Sequence, residues 1–154
     1  MNLGILDKPY NFLTQPFAAK IVIILALLWR WTGYNMVFFL SGLQNIEYSV
    51  YEAAKIDGAS AIQTFFKITV PLLKPTILLT AIMSTNGTLQ LFDESVNLTD
   101  GGPANASISM SHYIYNLCFK YVPNFGYAAA MSFFILLLVA VLAFIQMRVG
   151  DKRD

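Results

Sequence analysis

Residues 52–71 read Glu-Ala-Ala-Lys-Ile-Asp-Gly-Ala-Ser-Ala-Ile-Gln-Thr-Phe-Phe-Lys-Ile-Thr-Val-Pro. The stretch concentrates charged side chains between two long apolar segments. Its order of residue types predicts a helix, a break at Gly58, a second helix and a stop at Pro71, because glycine readily adopts the positive φ that follows many helices. We therefore expect a structured loop in water that joins two membrane segments.

The composition points to an integral membrane protein. Of the 154 residues, 56% are hydrophobic, 14% are aromatic and only 12% are charged, whereas an ordinary soluble domain has about 25% charged residues. The formal net charge of +1 argues against a nucleic-acid partner, which requires a concentrated basic surface. The single cysteine, Cys118, excludes an intrachain disulfide and a multi-cysteine metal site, and we expect it to be a small apolar filler.

Three stretches are apolar enough and long enough to predict membrane spans, at residues 18–43, 72–92 and 127–147, since about 20 residues cross the hydrocarbon core. The first span contains Arg30 and Asn35, and the second contains the polar run 84–90. Such side chains are costly against lipid, so their faces should point into protein or a water-filled cavity. The predicted fold is an all-α, polytopic transmembrane helical bundle.

Basic residues predict the orientation. The segment between the first two spans carries Lys55, Lys67 and Lys74, and the tail at residues 148–154 is also basic-rich, whereas the segment 93–124 has only Lys120. The positive-inside rule therefore makes the loop 46–71 and the C-terminus cytoplasmic. The same rule predicts two external segments. Residues 1–17 precede the membrane domain 18–147, and residues 93–124 lie within it.

The external segment has two recognisable features. Asp100-Gly-Gly-Pro103 is a strong turn signal, and the aromatic-rich stretch 107–121 predicts a helix at the outer interface, either as an aromatic belt or with a ligand role. We expect His112 to be a surface histidine. A proton relay through it would need further ionisable groups in the spans, and the three predicted spans contain no Asp or Glu.

At the loop the sequence resembles the membrane permeases of type I ABC importers. That family carries Glu-Ala-Ala, three residues, Gly, nine residues, Ile, one residue, Leu and Pro. Here Glu52-Ala53-Ala54 precedes Gly58 at that spacing, and Ile68 to Pro71 complete the pattern with Val70 in place of Leu. Further stretches resemble the maltose-type and lactose-type sugar permeases. They are Trp31 to Met36, Leu43 to Ile46, Ala53 to Ala59, Phe92-Asp93, Leu98 to Pro103 and Phe125 to Ala130.

The resemblance implies a permease of roughly six spans, of which this chain would be the C-terminal half. Three spans with polar faces are also too few to satisfy one another, so a larger protein or an assembly is expected. The implied partners are a dimer of cytoplasmic ATP-binding subunits, a second permease subunit, an external solute-binding protein and the lipid bilayer. The implied location is the bacterial inner membrane.

The resemblance also implies a role for the loop as the helix that couples ATP hydrolysis to transport. The residues carried over are Glu52, Ala53, Ala54, Asp57, Gly58, Ile68 and Pro71. Glu52 would pair with a basic residue of the ATPase, and the two alanines would permit close approach. The sequence lacks a Gly-x-x-x-x-Gly-Lys-Ser/Thr loop, so ATP and Mg²⁺ should be held by the partner and this chain should be no enzyme and bind no cofactor.

Polar side chains at membrane depth are candidates for the substrate path, namely Asn86, Gln90, Ser84, Thr85, Asn35 and Arg30. Amide and hydroxyl groups could bind sugar hydroxyls, or they could join helix to helix for about 0.6 kcal/mol each. The predicted function is the permease subunit of a carbohydrate importer. The alternatives are a truncated fragment that only docks the ATPase, an importer of a glycerol-phosphate or polyol, and a proton-coupled carrier.

Overall fold

The computed structural model describes residues 12–150, and all regular structure within that range is helical. A 3-10 turn, Phe12–Thr14, precedes the first helix. In chain order the helices are α1 (Pro16–Gln44), α2 (Tyr48–Ile56), α3 (Ala61–Thr64), a π-helical turn (Phe65–Thr69), α4 (Val70–Leu72), α5 (Lys74–Leu89), α6 (Asp93–Thr99), α7 (Met110–Tyr115), a second π-helical turn (Asn116–Lys120) and α8 (Phe125–Gly150). The predicted all-α fold is confirmed.

Two helices are long and apolar enough to cross a membrane. These are α1 and α8, with mean hydropathies of 1.5 and 2.8, and they contain the predicted spans 18–43 and 127–147. A third candidate is a bent pair, Ala61–Leu72 with Lys74–Leu89. The predicted span 72–92 does not match a single helix. Its main part is α5, which ends at Leu89, and the residues 61–72 that precede α5 are also helical.

The bent pair turns by 64° between α4 and α5. Pro71 lies in the first turn of α4 and Pro75 in the first turn of α5. Neither proline can donate a backbone hydrogen bond, and each ring crowds the carbonyl four residues earlier, so a regular α-helix cannot run through this region. The π-helical turn Phe65–Thr69 and the bend at Leu73 are the local result.

The described residues form two compact units. The first unit comprises residues 12–29 and 88–137, and the second unit comprises residues 30–87 and 138–150. In α1 and α8, only 6% of the most apolar window is buried, and large side chains such as Phe133, Leu137 and Phe144 are exposed. Apolar surface on this scale is stable only against lipid or other protein.

Candidate functional site

The loop between α1 and α5 begins with α2, which ends at Ile56, two residues before Gly58. The Ala59 N–H donates to Ala54 O at 2.9 Å and the Gly58 N–H to Lys55 O at 3.2 Å, which are the two bonds of a Schellman cap. Gly58 has a φ of +73°, and a Cβ there would meet nothing within 4 Å. The predicted break is confirmed, and backbone conformation alone is the reason for glycine.

The second helix of the loop starts with a capping box. The Ser60 N–H donates to Gln63 Oε1 at 2.9 Å, and the Gln63 N–H donates to Ser60 Oγ at 3.3 Å. These reciprocal bonds satisfy amide groups that the first turn leaves without helical partners. Gly58 and this capping box together make residues 48–72 a two-helix elbow, which we call the elbow below.

One side-chain contact closes the elbow. Tyr51 Oη lies 3.3 Å from Thr69 Oγ1, and Thr69 and Ala54 are both buried. On a regular α-helix, spacings of three and four residues would place Thr69 on the same side as Ile62, Phe65 and Phe66, which are exposed. Thr69 is buried instead, because the wider π-helical turn at Phe65–Thr69 shifts residues around the helix axis.

The outer surface of the elbow combines exposed apolar and acidic groups. Ile56, Ile62 and Phe66 are 86%, 72% and 65% exposed. Among the predicted coupling residues, Glu52, Ala53, Asp57, Gly58 and Pro71 are exposed, Ile68 is half-buried and Ala54 is buried. Within residues 12–150, the structure records no ion pair for Glu52. The elbow therefore presents a carboxylate and an apolar ridge that the described part of the chain leaves uncovered.

Two polar pairs join the helices of the second unit. The Asn35 Nδ2 group donates to Ser84 Oγ at 3.1 Å, and the Ser84 hydroxyl lies 3.3 Å from Asn35 Oδ1, which connects α1 with α5. Gln146 Nε2 donates to Thr85 Oγ1 at 2.8 Å, which connects α8 with α5. Three of the predicted path residues, Asn35, Ser84 and Thr85, thus bond to protein groups.

Beside these pairs, the indole of Trp31 packs on Gly87. A Cβ at Gly87 would overlap Trp31 Cζ2 and Cη2. Three polar atoms of this region are buried without a hydrogen-bond partner, namely Trp31 Nε1, Asn86 Oδ1 and Gln146 Oε1. Buried orphan groups are costly, so a donor and acceptors are available here to a water or a polar ligand.

The other two predicted path residues do not belong to these pairs. Gln90 is exposed in the turn after α5. Arg30 is exposed, with its guanidinium carbon 5.5 Å from the centre of the Trp31 ring. The sequence analysis did not identify Trp31 and Gln146 as polar groups that contact other helices of the second unit. For Gln146 there was a signal, because it is an amide within the otherwise apolar last span.

The first unit has a buried polar cluster around His112. The prediction of a surface histidine is wrong, since His112 is fully buried. Its Nδ1 lies 2.9 Å from Ser95 Oγ, and the Ser95 hydroxyl donates to Ser107 O at 2.9 Å. The Ser95 hydroxyl therefore links His112 to the backbone of the turn before α7.

Charge around this cluster is set by Asp100 and Lys120, whose Oδ1 and Nζ atoms are 2.6 Å apart. Lys120 lowers the pKa of the exposed Asp100 carboxyl through their hydrogen bond, and Asp100 raises the pKa of Lys120 in the same way. Burial lowers the pKa of His112, with a further lowering by Lys120, although Asp100 opposes it from 3.7 Å. His112 is therefore neutral in the folded protein at neutral pH.

The predicted turn and helix of the external segment are partly confirmed. Asp100 and Gly101 have φ of +47° and +80°, as a tight turn requires. The predicted helix 107–121 is confined to α7 and the π-helical turn that ends at Lys120. Tyr115 contacts Phe92 edge-to-face and Phe119 at a tilted angle, with ring-centre distances of 5.3 Å and 5.2 Å, so these rings form an aromatic row.

The family model and the related proteins agree with one another. Residues 4–153 match the family described as binding-protein-dependent transport system inner membrane component. The lactose transport system permease protein LacF of Rhizobium radiobacter is 55% identical over 153 residues, which are 98% of this chain and 51% of LacF. The multiple sugar-binding transport system permease protein MsmF of Streptococcus mutans is 35% identical over 150 residues, which are 97% of this chain and 51% of MsmF.

A solved structure has the same fold. The crystal structure of a bacterial ABC transporter involved in the import of the acidic polysaccharide alginate superimposes with a TM-score of 0.79 and 25% identity, over 93% of this chain and 50% of that one. The chain thus spans about half the length of LacF, of MsmF and of this solved chain.

Proposed function

Since the chain belongs to the family of binding-protein-dependent transport system inner membrane components, we propose that it acts as a permease subunit of an ATP-binding-cassette importer for a carbohydrate. The family description makes it a multi-pass inner membrane protein, and α1 and α8 supply two apolar spans. Relatives named for the transport of lactose and of multiple sugars support a carbohydrate as the transported solute. An external binding protein would deliver the sugar.

The elbow is the observation that carries the coupling role. It carries charge and capped helices between two spans, and no other described residue covers its apolar ridge or Glu52. An amphipathic elbow of this kind suits a groove in another protein. The elbow and the C-terminus would lie in the cytoplasm, where a dimer of ATPase subunits would hold ATP and Mg²⁺. A second permease subunit in the membrane would complete the transport path.

A charge reversal tests this coupling in the full transporter. In Glu52→Lys, the loss of an ion pair with the ATPase should lower transport-coupled ATP hydrolysis and uptake by more than about tenfold, because breaking a buried charge pair at an interface costs several kcal/mol. The control is Glu47→Lys, an equal reversal at an exposed carboxylate that precedes α2 and lies outside the family pattern. Wild-type coupling in Glu52→Lys, with normal assembly, would refute the assignment.

For the sugar path, polar groups without a hydrogen-bond partner are better candidates than groups that already have one. Asn35, Ser84 and Thr85 already bond to protein, whereas the buried Asn86 Oδ1 has no partner among the described residues. An amide oxygen in that state gains most from a sugar hydroxyl, since leaving it unpaired costs roughly 1–3 kcal/mol. We therefore assign sugar contact to Asn86 ahead of the other predicted path residues.

Uptake by the full transporter tests this assignment. Asn86→Leu should raise the KM for the sugar by roughly threefold to tenfold, which corresponds to one lost hydrogen bond, at unchanged membrane levels. Thr85→Val, on the adjacent position, removes a contact between helices and should leave KM within about twofold of wild type. Equal KM values in Asn86→Leu and wild type would leave Asn86 outside the path.

A further inference from the structure

A groove lies between α5 and α8 in the second unit. Leu78, Phe144, Met147 and Arg148 line it, and its volume is about 480 Å³. The two helices approach closely at its edge, because a Cβ at Gly150 would lie 2.5 Å from Leu78 Cδ1. The groove therefore lies beside a close contact of the two helices, and three apolar side chains and one cation line it.

The charge of the groove is confined to one end. Arg148 is in the last turn of α8 and its guanidinium carbon lies 5.8 Å from the centre of the Phe144 ring. Arg148 thus gives this end its positive character.

This arrangement matches an anionic lipid better than a soluble anion. The lining continues from a cation into apolar side chains, of which Phe144 and Met147 are 58% and 48% exposed. A guanidinium binds phosphate oxygens with paired hydrogen bonds, and basic sites between spans bind acidic headgroups. A soluble anion would use Arg148 and leave Leu78, Phe144 and Met147 against water.

We propose that the groove binds one anionic phospholipid, with its phosphate at Arg148 and an acyl chain along Leu78, Phe144 and Met147. The proposal does not depend on the nature of the transported solute. It predicts a preference for acidic over zwitterionic lipid at this position and not along the rest of α8.

Fluorescence quenching in the reconstituted full transporter tests the site. Met147→Trp puts a reporter in the groove, and the signal from the unmodified transporter is subtracted to remove native tryptophans. Phosphatidylglycerol with brominated chains should quench the reporter with an apparent affinity about fivefold above that of brominated phosphatidylcholine, the preference expected for one basic residue near the surface.

Two further variants decide the role of Arg148. Combined with the reporter, Arg148→Gln should reduce the preference towards equal affinity, while Lys20→Gln, which removes an exposed charge elsewhere on α1, should keep it. Equal quenching by both lipids in the reporter protein would overturn the proposal, as would a preference unaffected by Arg148→Gln. Absence of quenching by either lipid would also overturn it, because another span would then cover the groove.

Discussion

Among single residues, His112 shows most clearly how packing overrides composition. A lone histidine in a segment predicted to be external suggests exposure, yet Ser95, Ser107 and the Asp100 turn enclose it. The buried, neutral side chain is hydrogen-bonded to Ser95 and so ties α6 to α7. Its identity therefore matters for the stability of the first unit.

The lowered pKa of His112 predicts a stability loss in acid. The unfolded chain binds a proton at the ordinary pKa of about 6.5, whereas folded His112 stays neutral to lower pH. Stability contributed by His112 is therefore complete above a pH of about 6.5 and falls as the pH is lowered through that value, by up to about 1.4 kcal/mol per pH unit.

Thermal unfolding of the purified chain at several pH values on either side of the ordinary histidine pKa measures this effect, because His112 is the sole histidine in the sequence. His112→Asn, which replaces the imidazole with an amide that does not titrate, should be less stable at neutral pH and should lose most of the dependence on pH in this range. The same slope in wild type and variant would show that other groups are responsible.

Among the helices, small residues determine how closely the elements of the second unit approach. Gly87 on α5 accepts the Trp31 ring from α1, and Gly42 on α1 leaves room for Thr76 and Leu73, since a Cβ at Gly42 would lie only 2.8 Å from Thr76 Oγ1. Without a hydrophobic driving force between spans, close backbone approach and polar pairs provide the association. The Asn35–Ser84 pair lies on the same α1–α5 contact.

Adding one methyl group tests this contact. Gly87→Ala would place Cβ inside the van der Waals radius of Trp31 Cζ2, so the ring or the helix must shift, and we expect a loss of about 1–3 kcal/mol from overpacking. Gly33→Ala is the matched control, because a Cβ there meets nothing within 4 Å and alanine favours helix. Thermal unfolding in detergent compares them; equal midpoints for the two variants would contradict tight packing at Gly87.

For the whole molecule, function depends on which segments face the cytoplasm. The elbow and the tail are rich in basic residues relative to 93–124, and coupling to a cytoplasmic ATPase requires the elbow on that side. The segment 93–124, which contains His112, would then lie outside the cell membrane. The orientation remains a prediction from charge.

Labelling with a membrane-impermeant thiol reagent measures the orientation. In a Cys118→Ser background, Asn105→Cys should react in intact cells, since position 105 is exposed and lies in the segment predicted to be external. Gln63→Cys, exposed on the elbow, should react only after the membrane is permeabilised. The reverse pattern would invert the topology and remove the elbow from contact with any cytoplasmic ATPase.

The membrane class, the long helices α1 and α8, the Gly58 break and the family could all be predicted from the order of amino acids, because hydropathy, helix propensity and motif spacing are local properties of the chain. Which polar groups meet could not. Asn35 bonds to Ser84 across 49 positions and Gln146 to Thr85 across 61, while Asn86 is left unpaired. These outcomes depend on the rotation and register of each helix in the folded chain, which the π-helical turn and the proline bend shift and which no local pattern records.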